Sequence, residues 1–157
     1  MGFNLIDLNK ILYTLKMLKI KIEDLSFLEL GEQELKVKFD ENIPANLIKF
    51  IESNPRNYKK NDTRYSFYAK DYLNSLFKFA DSLDFITKCP KTYKLDLGKA
   101  LNTQNFNKTY NVINNNGTTE HIGEFKGNFQ TETYNQQYEA FKNIHNLTKK
   151  DGYVFNS

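Results

Sequence analysis

The chain has 157 residues, enough for one domain with a real core, and 39% of them are hydrophobic and 15% aromatic. That aromatic content excludes a disordered chain. The net charge of +3 comes from basic residues scattered in pairs such as Lys59-Lys60 and Lys149-Lys150, not from the basic face a nucleic-acid binder usually shows.

There is one cysteine, Cys89, so no internal disulfide forms; a reducing compartment fits best, and Cys89 beside Pro90 reads as structural. No apolar run approaches the roughly 18 residues a membrane span needs. The first segment, "MGFNLIDLNKILYTLKMLKIKI", is broken by Lys10, Lys16 and Lys19 and has no small-residue cleavage site. Ile6 stands where myristoylation requires Ser or Thr. A cytoplasmic protein that contacts no membrane is the expectation.

Leu5, Leu8, Leu12, Leu15 and Leu18 recur in steps of three and four and predict a helix within residues 1–24, with Asn4 as its start. "LSFLEL" reads as a buried strand closed by Gly31. "PANLIKFIESN" fits a helix with Pro44 at its first position, and "PRNYKKNDTRYS" fits a loop. "YAKDYLNSLFKF" suggests a helix with Tyr68, Tyr72, Leu76 and Phe79 on one side. "ADSLDF", "TYKLDL" and "TYNVINN" read as strands. The clearest helix is "TYNQQYEAFKNIHNLTKKDG", with a buried stripe of Tyr134, Tyr138, Phe141, Ile144 and Leu147, ended by Asp151-Gly152 before a last strand, "YVFNS".

Strands alternating with helices indicate an α/β fold with a mostly parallel sheet, and neither a repeat nor a linker divides it. Ligands of such sheets bind outside the carboxyl ends of the strands. The groups at those ends are Glu29, Gly31, Glu32 and Gln33 after the first strand, Asp84 after the second, Asp96 and Leu97 after the third, and Asn114 to His121 after the fourth. A glycine after the first strand lets backbone approach a ligand. A carboxylate ending the second can accept both hydroxyls of a ribose.

The segments "FLELGEQEL", "ADSLDF", "KLDLGKALN", "YNVINNNGTTEHI" and "NQQYEAFKNIHNLTKKDGYVFNS", in that order, resemble S-adenosylmethionine-dependent methyltransferases of the Rossmann-like class. The resemblance covers residues 25–157 and implies a single methyltransferase-like domain over 1–157. It implies that Glu29 and Gly31 belong to the loop holding the methionine part of the cofactor. Asp84 would bind the ribose, and Asp96 and Leu97 would border the adenine. Asn114 to His121, with Gly117 among them, would lie between the methyl group and a small-molecule or glycan-like acceptor. The chain departs from the family pattern at Gln33, where a second glycine is common, and at Asn111, where an aspartate is frequent. It also stops at the fifth strand, which suggests a shortened relative or a fragment with an edge strand that a partner subunit could cover.

Methyl transfer from a sulfonium is a direct displacement, so the protein supplies positioning and, for O or N acceptors, a base. His121 is the candidate base, because an imidazole ordinarily titrates near 6.5, with Glu120 to orient it or to take the proton. The competing reading of Thr118 and Thr119 is helix capping. His145, beside the apolar stripe, reads as a half-buried structural histidine. Glu120, His121 and His145 do not have the spacing of a metal site. Three functions compete: the methyltransferase, an inactive relative acting as a binding or assembly subunit, and a nucleic-acid module using stacked aromatics, against which the scattered charge counts.

Overall fold

The structure is a computed structural model that describes residues 3–38, 42–54, 58–60, 64–87, 89, 91–123 and 131–156, the side chains at 58–60 and 131–134 excepted. It separates into two compact units, Met1–Leu25 with Gln33–Ala80, and Ser26–Glu32 with Asp81–Ser157.

The first unit begins with α1 (Leu5–Met17), capped by the Asn4 side chain, which accepts the Asp7 N–H at 3.0 Å. Its buried face is Leu5, Leu8, Ile11 and Leu15. Leu18, expected in that stripe, is the cap residue and is exposed. The unit also holds β2 (Glu34–Lys38), α2 (Ala45–Ser53), β3 (Tyr58–Lys60), β4 (Arg64–Tyr68) and α3 (Ala69–Leu73). β2, β4 and β3 form an antiparallel sheet in that order.

Two expectations fail in this unit. The polar stretch read as a loop contributes β3 and β4, and the helix expected from Tyr68 to Phe79 shrinks to the five residues of α3. The cause is pairing across the sheet: Phe67 registers with Leu35 and Tyr65 with Val37, which buries Leu35, Val37 and Phe67 on one face. Asn74 then ends α3, since its amide donates to the Lys70 and Ala80 carbonyls at 3.0 and 2.9 Å and accepts the Ala80 N–H at 2.7 Å. Leu35 and Val37 in "ELKVK" alternate cleanly, a strand signal that the sequence reading passed over.

Phe50, Phe67 and Tyr72 pack as a cluster with ring centroids 5.2 to 6.5 Å apart. Burial pushes the Tyr72 phenol from 10.0 up to about 12. Above pH 10 the unfolded chain releases that proton while the folded chain keeps it, so stability falls as pH rises through this window. Tyr72→Phe is expected to flatten the alkaline loss of unfolding free energy by about 1.4 kcal/mol per pH unit. Denaturant titrations of both proteins between pH 10 and about 12 measure it; identical slopes would refute the assignment.

The second unit is built on the five-stranded sheet, in the order β6 (Tyr93–Lys94), β5 (Phe79–Asp84), β1 (Ser26–Leu30), β7 (Tyr110–Asn115), β8 (Thr148–Asn156). The β1–β7, β5–β6 and β7–β8 pairs are parallel. Numbered by their succession along the chain, the strands lie 3-2-1-4-5. The sheet grows from β1 toward one edge, then the chain returns to add β7 and β8 on the other side.

α4 (Thr131–Leu147) connects β7 to β8. Its buried face is Ala140, Asn143, Ile144 and Leu147, packed with Leu28, Leu30, Leu83, Leu95 and Ile113. The expected stripe is half wrong, because Tyr138 is 71% and Phe141 53% exposed, while the Tyr134 side chain lies outside the described residues. Helical geometry explains it: successive steps of three fall short of a full turn, so Tyr138 and Leu147 sit about 180° apart on the helix. His145 is exposed, not half-buried. The strand after α4 starts at Thr148, so Asp151-Gly152 is a kink inside β8 and not the end of the helix. A Cβ on Gly152 would lie 2.9 Å from the Lys149 carbonyl, which makes glycine necessary there. The register against β7 slips at this point.

At the opposite ends of these strands from the candidate site, polar groups tie the sheet together. Asn111 accepts the Ser26 N–H at 3.0 Å and the Ser26 hydroxyl at 2.8 Å, and so staples β7 to β1. The buried Tyr110 hydroxyl donates to Asp81 at 2.8 Å; burial first, then Asp81, pushes its pKa upward. Among the described residues no helix is long and apolar enough to cross a membrane.

Candidate functional site

Where a parallel sheet reverses its direction of growth, the connections leave the two adjacent strands on opposite sides and open a crevice at their carboxyl ends. In this sheet the reversal falls between β1 and β7. Glu29 and Asn114 occupy that place as partners in register, each only 1% exposed. The neighbouring pair, Leu28 and Ile113, enters the hydrophobic core beside α4. By strand alternation Glu29 and Asn114 therefore leave the opposite face of the sheet. The Asn114 Nδ2 is buried and has no hydrogen-bond partner among the described residues. An unsatisfied buried donor costs about 1–3 kcal/mol, so this amide is destabilising unless something else accepts from it.

The chain leaving β1 is held from two sides. Gly31 adopts a φ of 74°, in the region that favours glycine, and its N–H donates to the Leu83 carbonyl at 2.7 Å. On one flank the Glu32 N–H donates to Asp84 Oδ2 at 2.8 Å. On the other the Thr118 hydroxyl donates to the Leu30 carbonyl at 2.6 Å. Asp84 Oδ1 also accepts the Ile86 N–H at 2.7 Å. Each Asp84 oxygen thus has one backbone donor, and an ionised carboxylate with about four acceptor positions keeps two for a ligand. The Thr87 hydroxyl donates to the Glu32 carboxylate, which ties the loop after β5 to the loop after β1.

Gln33 takes a different course. It belongs to the first unit, where its carbonyl accepts the Ala69 N–H at 3.0 Å.

Beyond β6, Asp96 opens a tight turn. Its Oδ1 accepts the Gly98 N–H at 3.0 Å and its Oδ2 lies 3.4 Å from Lys99 Nζ. Leu97 points into the core cluster with Leu95, Leu101 and Ile113, so its side chain serves packing while Asp96 remains partly open.

The loop after β7 is built from its own polar groups. Asn115 Nδ2 donates to the Thr119 hydroxyl and to Asn156 Oδ1, both at 2.9 Å. Gly117 has a φ of 66°, and a Cβ there would meet Glu120 Oε1 at 3.2 Å. A short 3-10 turn, Thr119–His121, presents Glu120 and His121, whose Oε1 and Nε2 are 3.4 Å apart. Both are open to solvent, at 58% and 55% side-chain exposure.

The strand order thus gathers Glu29, Gly31, Asp84, Asp96, Asn114 and the 117–121 loop at one end of the sheet. Sequence reasoning did not single out Gln104 or Asn143, and it read Thr118 as a helix cap. Thr118 and Asn143 act through bonds to backbone distant in sequence, and Gln104 through bonds to backbone five to eight residues away. Asn143 alone had a visible signal, being a polar residue within the true buried stripe of α4.

The chain is an α/β protein with a mostly parallel five-stranded sheet and flanking helices. Comparison with protein-family models, with curated proteins and with solved structures gave no match.

Proposed function

We propose that the chain is a Rossmann-like, S-adenosylmethionine-dependent methyltransferase acting on a small-molecule or glycan-like acceptor. The observation that carries this reading is the buried Asn114 amide, its Nδ2 lacking a partner among the described residues, next to Glu29 where the sheet reverses. A group that costs stability in the free protein is explained by a ligand that accepts from it. The residues present fit the cofactor: Gly31 would offer close backbone approach, Asp84 keeps acceptor positions for a ribose diol, and the partly exposed Asp96 would border the adenine.

The cofactor supplies a methyl group on a positive sulfur, which needs no covalent help from the protein. The work of the chain is to align the acceptor and remove its proton. The His121 imidazole, whose Nε2 lies 3.4 Å from the Glu120 carboxylate, would take that proton through its other nitrogen, Nδ1, from an O or N nucleophile. Glu120 stabilises the imidazolium that results.

A second reading, an inactive relative acting as a binding or assembly subunit, is favoured by the solvent exposure of this same pair. Calorimetric titration with S-adenosylmethionine and S-adenosylhomocysteine tests the proposal. Micromolar binding is expected, and absence of binding at millimolar cofactor would sink the methyltransferase reading. Binding without methyl transfer to any acceptor hydroxyl or amine would favour the subunit.

A further inference from the structure

We propose that Asn143 and Gln104 are positioning residues that set the base selectivity of the site by holding the Asp96–Lys99 turn. This rests on the reading that the turn borders the adenine of the cofactor.

The turn follows a strand of only two residues, so the sheet gives it little support. Side-chain amides take over that task. Asn143 Nδ2 donates to the Leu97 carbonyl at 2.9 Å and to the Lys99 carbonyl at 2.7 Å. Gln104 donates through Nε2 to the Asp96 carbonyl at 2.8 Å and the Lys99 carbonyl at 3.1 Å, and its Oε1 accepts the Asp96 N–H at 2.8 Å. Asparagine is a poor interior residue for a helix, yet Asn143 is buried in the middle of α4. Its two amide hydrogens are both spent on this turn.

The turn is also packed against its surroundings. A Cβ on Gly98 would lie 3.2 Å from Asp96 Oδ1, 3.3 Å from the Ile122 side chain and 3.4 Å from Gln136 Cβ. The turn, the loop after β7 and α4 therefore meet at one glycine.

What this fixes is the carboxylate of Asp96. Its Oδ1 is committed to the Gly98 N–H, and its Oδ2 has only a half-open lysine contact, a weak competitor in water. An ionised carboxylate accepts hydrogen bonds and donates none. Held in place, it favours a purine with a 6-amino donor and repels one with a 6-oxo acceptor. Released, it swings away and the distinction fades. Buried unsatisfied carbonyls alone would justify the amides structurally, but that role predicts no change in selectivity.

Adenosine and inosine, titrated into the intact protein, read the difference. Wild type is expected to prefer adenosine by at least about 10-fold, the value of one charge-assisted hydrogen bond. Asn143→Leu, which keeps the branched four-atom side chain but loses both donors, is expected to bring the ratio below about 3-fold with inosine affinity nearly kept. Gln104→Met acts from the turn's outer side and should lower the ratio in the same sense; it decides the matter if Asn143→Leu does not fold. Equal losses for both nucleosides, or an unchanged ratio, would overturn the assignment. S-adenosylhomocysteine binding by a wild type that does not distinguish the two nucleosides would overturn it while leaving the cofactor reading intact. Failure of wild type to bind any of the three would remove both.

Discussion

Asp84→Ala is expected to weaken S-adenosylhomocysteine binding by at least about 100-fold, the loss of two charge-assisted hydrogen bonds to a ribose diol. The geometry sets this expectation. Each carboxylate oxygen already receives one backbone N–H, from Glu32 at 2.8 Å and Ile86 at 2.7 Å. Those bonds orient the carboxylate, so its remaining lone pairs face outward with little rotational entropy left to lose on binding. The substitution also removes the acceptor that fixes the loop after β1. Part of the loss therefore comes from a looser loop, and the melting temperature should fall by a few degrees. Asp84→Asn, which keeps one acceptor oxygen, should lie between wild type and alanine. Calorimetry on the three proteins measures the series; alanine binding as tightly as wild type would remove Asp84 from the site.

Asn114→Leu is expected to move stability and binding in opposite directions. Leucine has the same number of side-chain heavy atoms as asparagine, branched at the same carbon, and has no donor to leave unsatisfied. The free protein should gain about 1 kcal/mol in unfolding free energy, the recovered cost of the buried Nδ2. Affinity for S-adenosylhomocysteine should drop at least about 10-fold because the bond that satisfied the amide is gone. A trade of this sign marks a residue kept for function at the expense of stability. Denaturant unfolding and calorimetry on the same preparation give both numbers. A variant that loses stability and binds normally would show Asn114 to be an ordinary part of the sheet.

Several elements were legible because their causes are local. Leu5, Leu8 and Leu15 mark α1 by spacing, and Asn4 marks its start by capping. Phe27, Leu28 and Leu30 mark β1, and Val112 and Ile113 mark β7, as buried strands, although the polar Ser26, Glu29, Asn114 and Asn115 are buried among them. Gly31 and Gly117 stand where the chain turns with positive φ. Asp84, Asp96 and Asn114 could be picked out because an α/β sheet concentrates ligand groups at strand ends, and strand ends can be found from pattern.

Other features were not legible because their causes are distant. α3 is short because β4 pairs with β2, thirty residues away, a force that local periodicity does not carry. The buried face of α4 is set by the sheet beneath it: Ala140 and Asn143 lie inside, while the larger Tyr138 and Phe141 lie outside. The amino-acid sequence by itself determined the α/β class and the existence of the five strands of the mostly parallel sheet with polar groups near their ends, since these depend on alternation, spacing and turn chemistry within a few residues. Only the tertiary structure decided that Glu29 and Asn114 are partners, that Thr118 reaches Leu30, and that Asn143 holds the turn after Asp96. Each of those contacts joins residues 44 to 88 positions apart. Only the strand order 3-2-1-4-5 brings them together, because it places the first and fourth strands side by side.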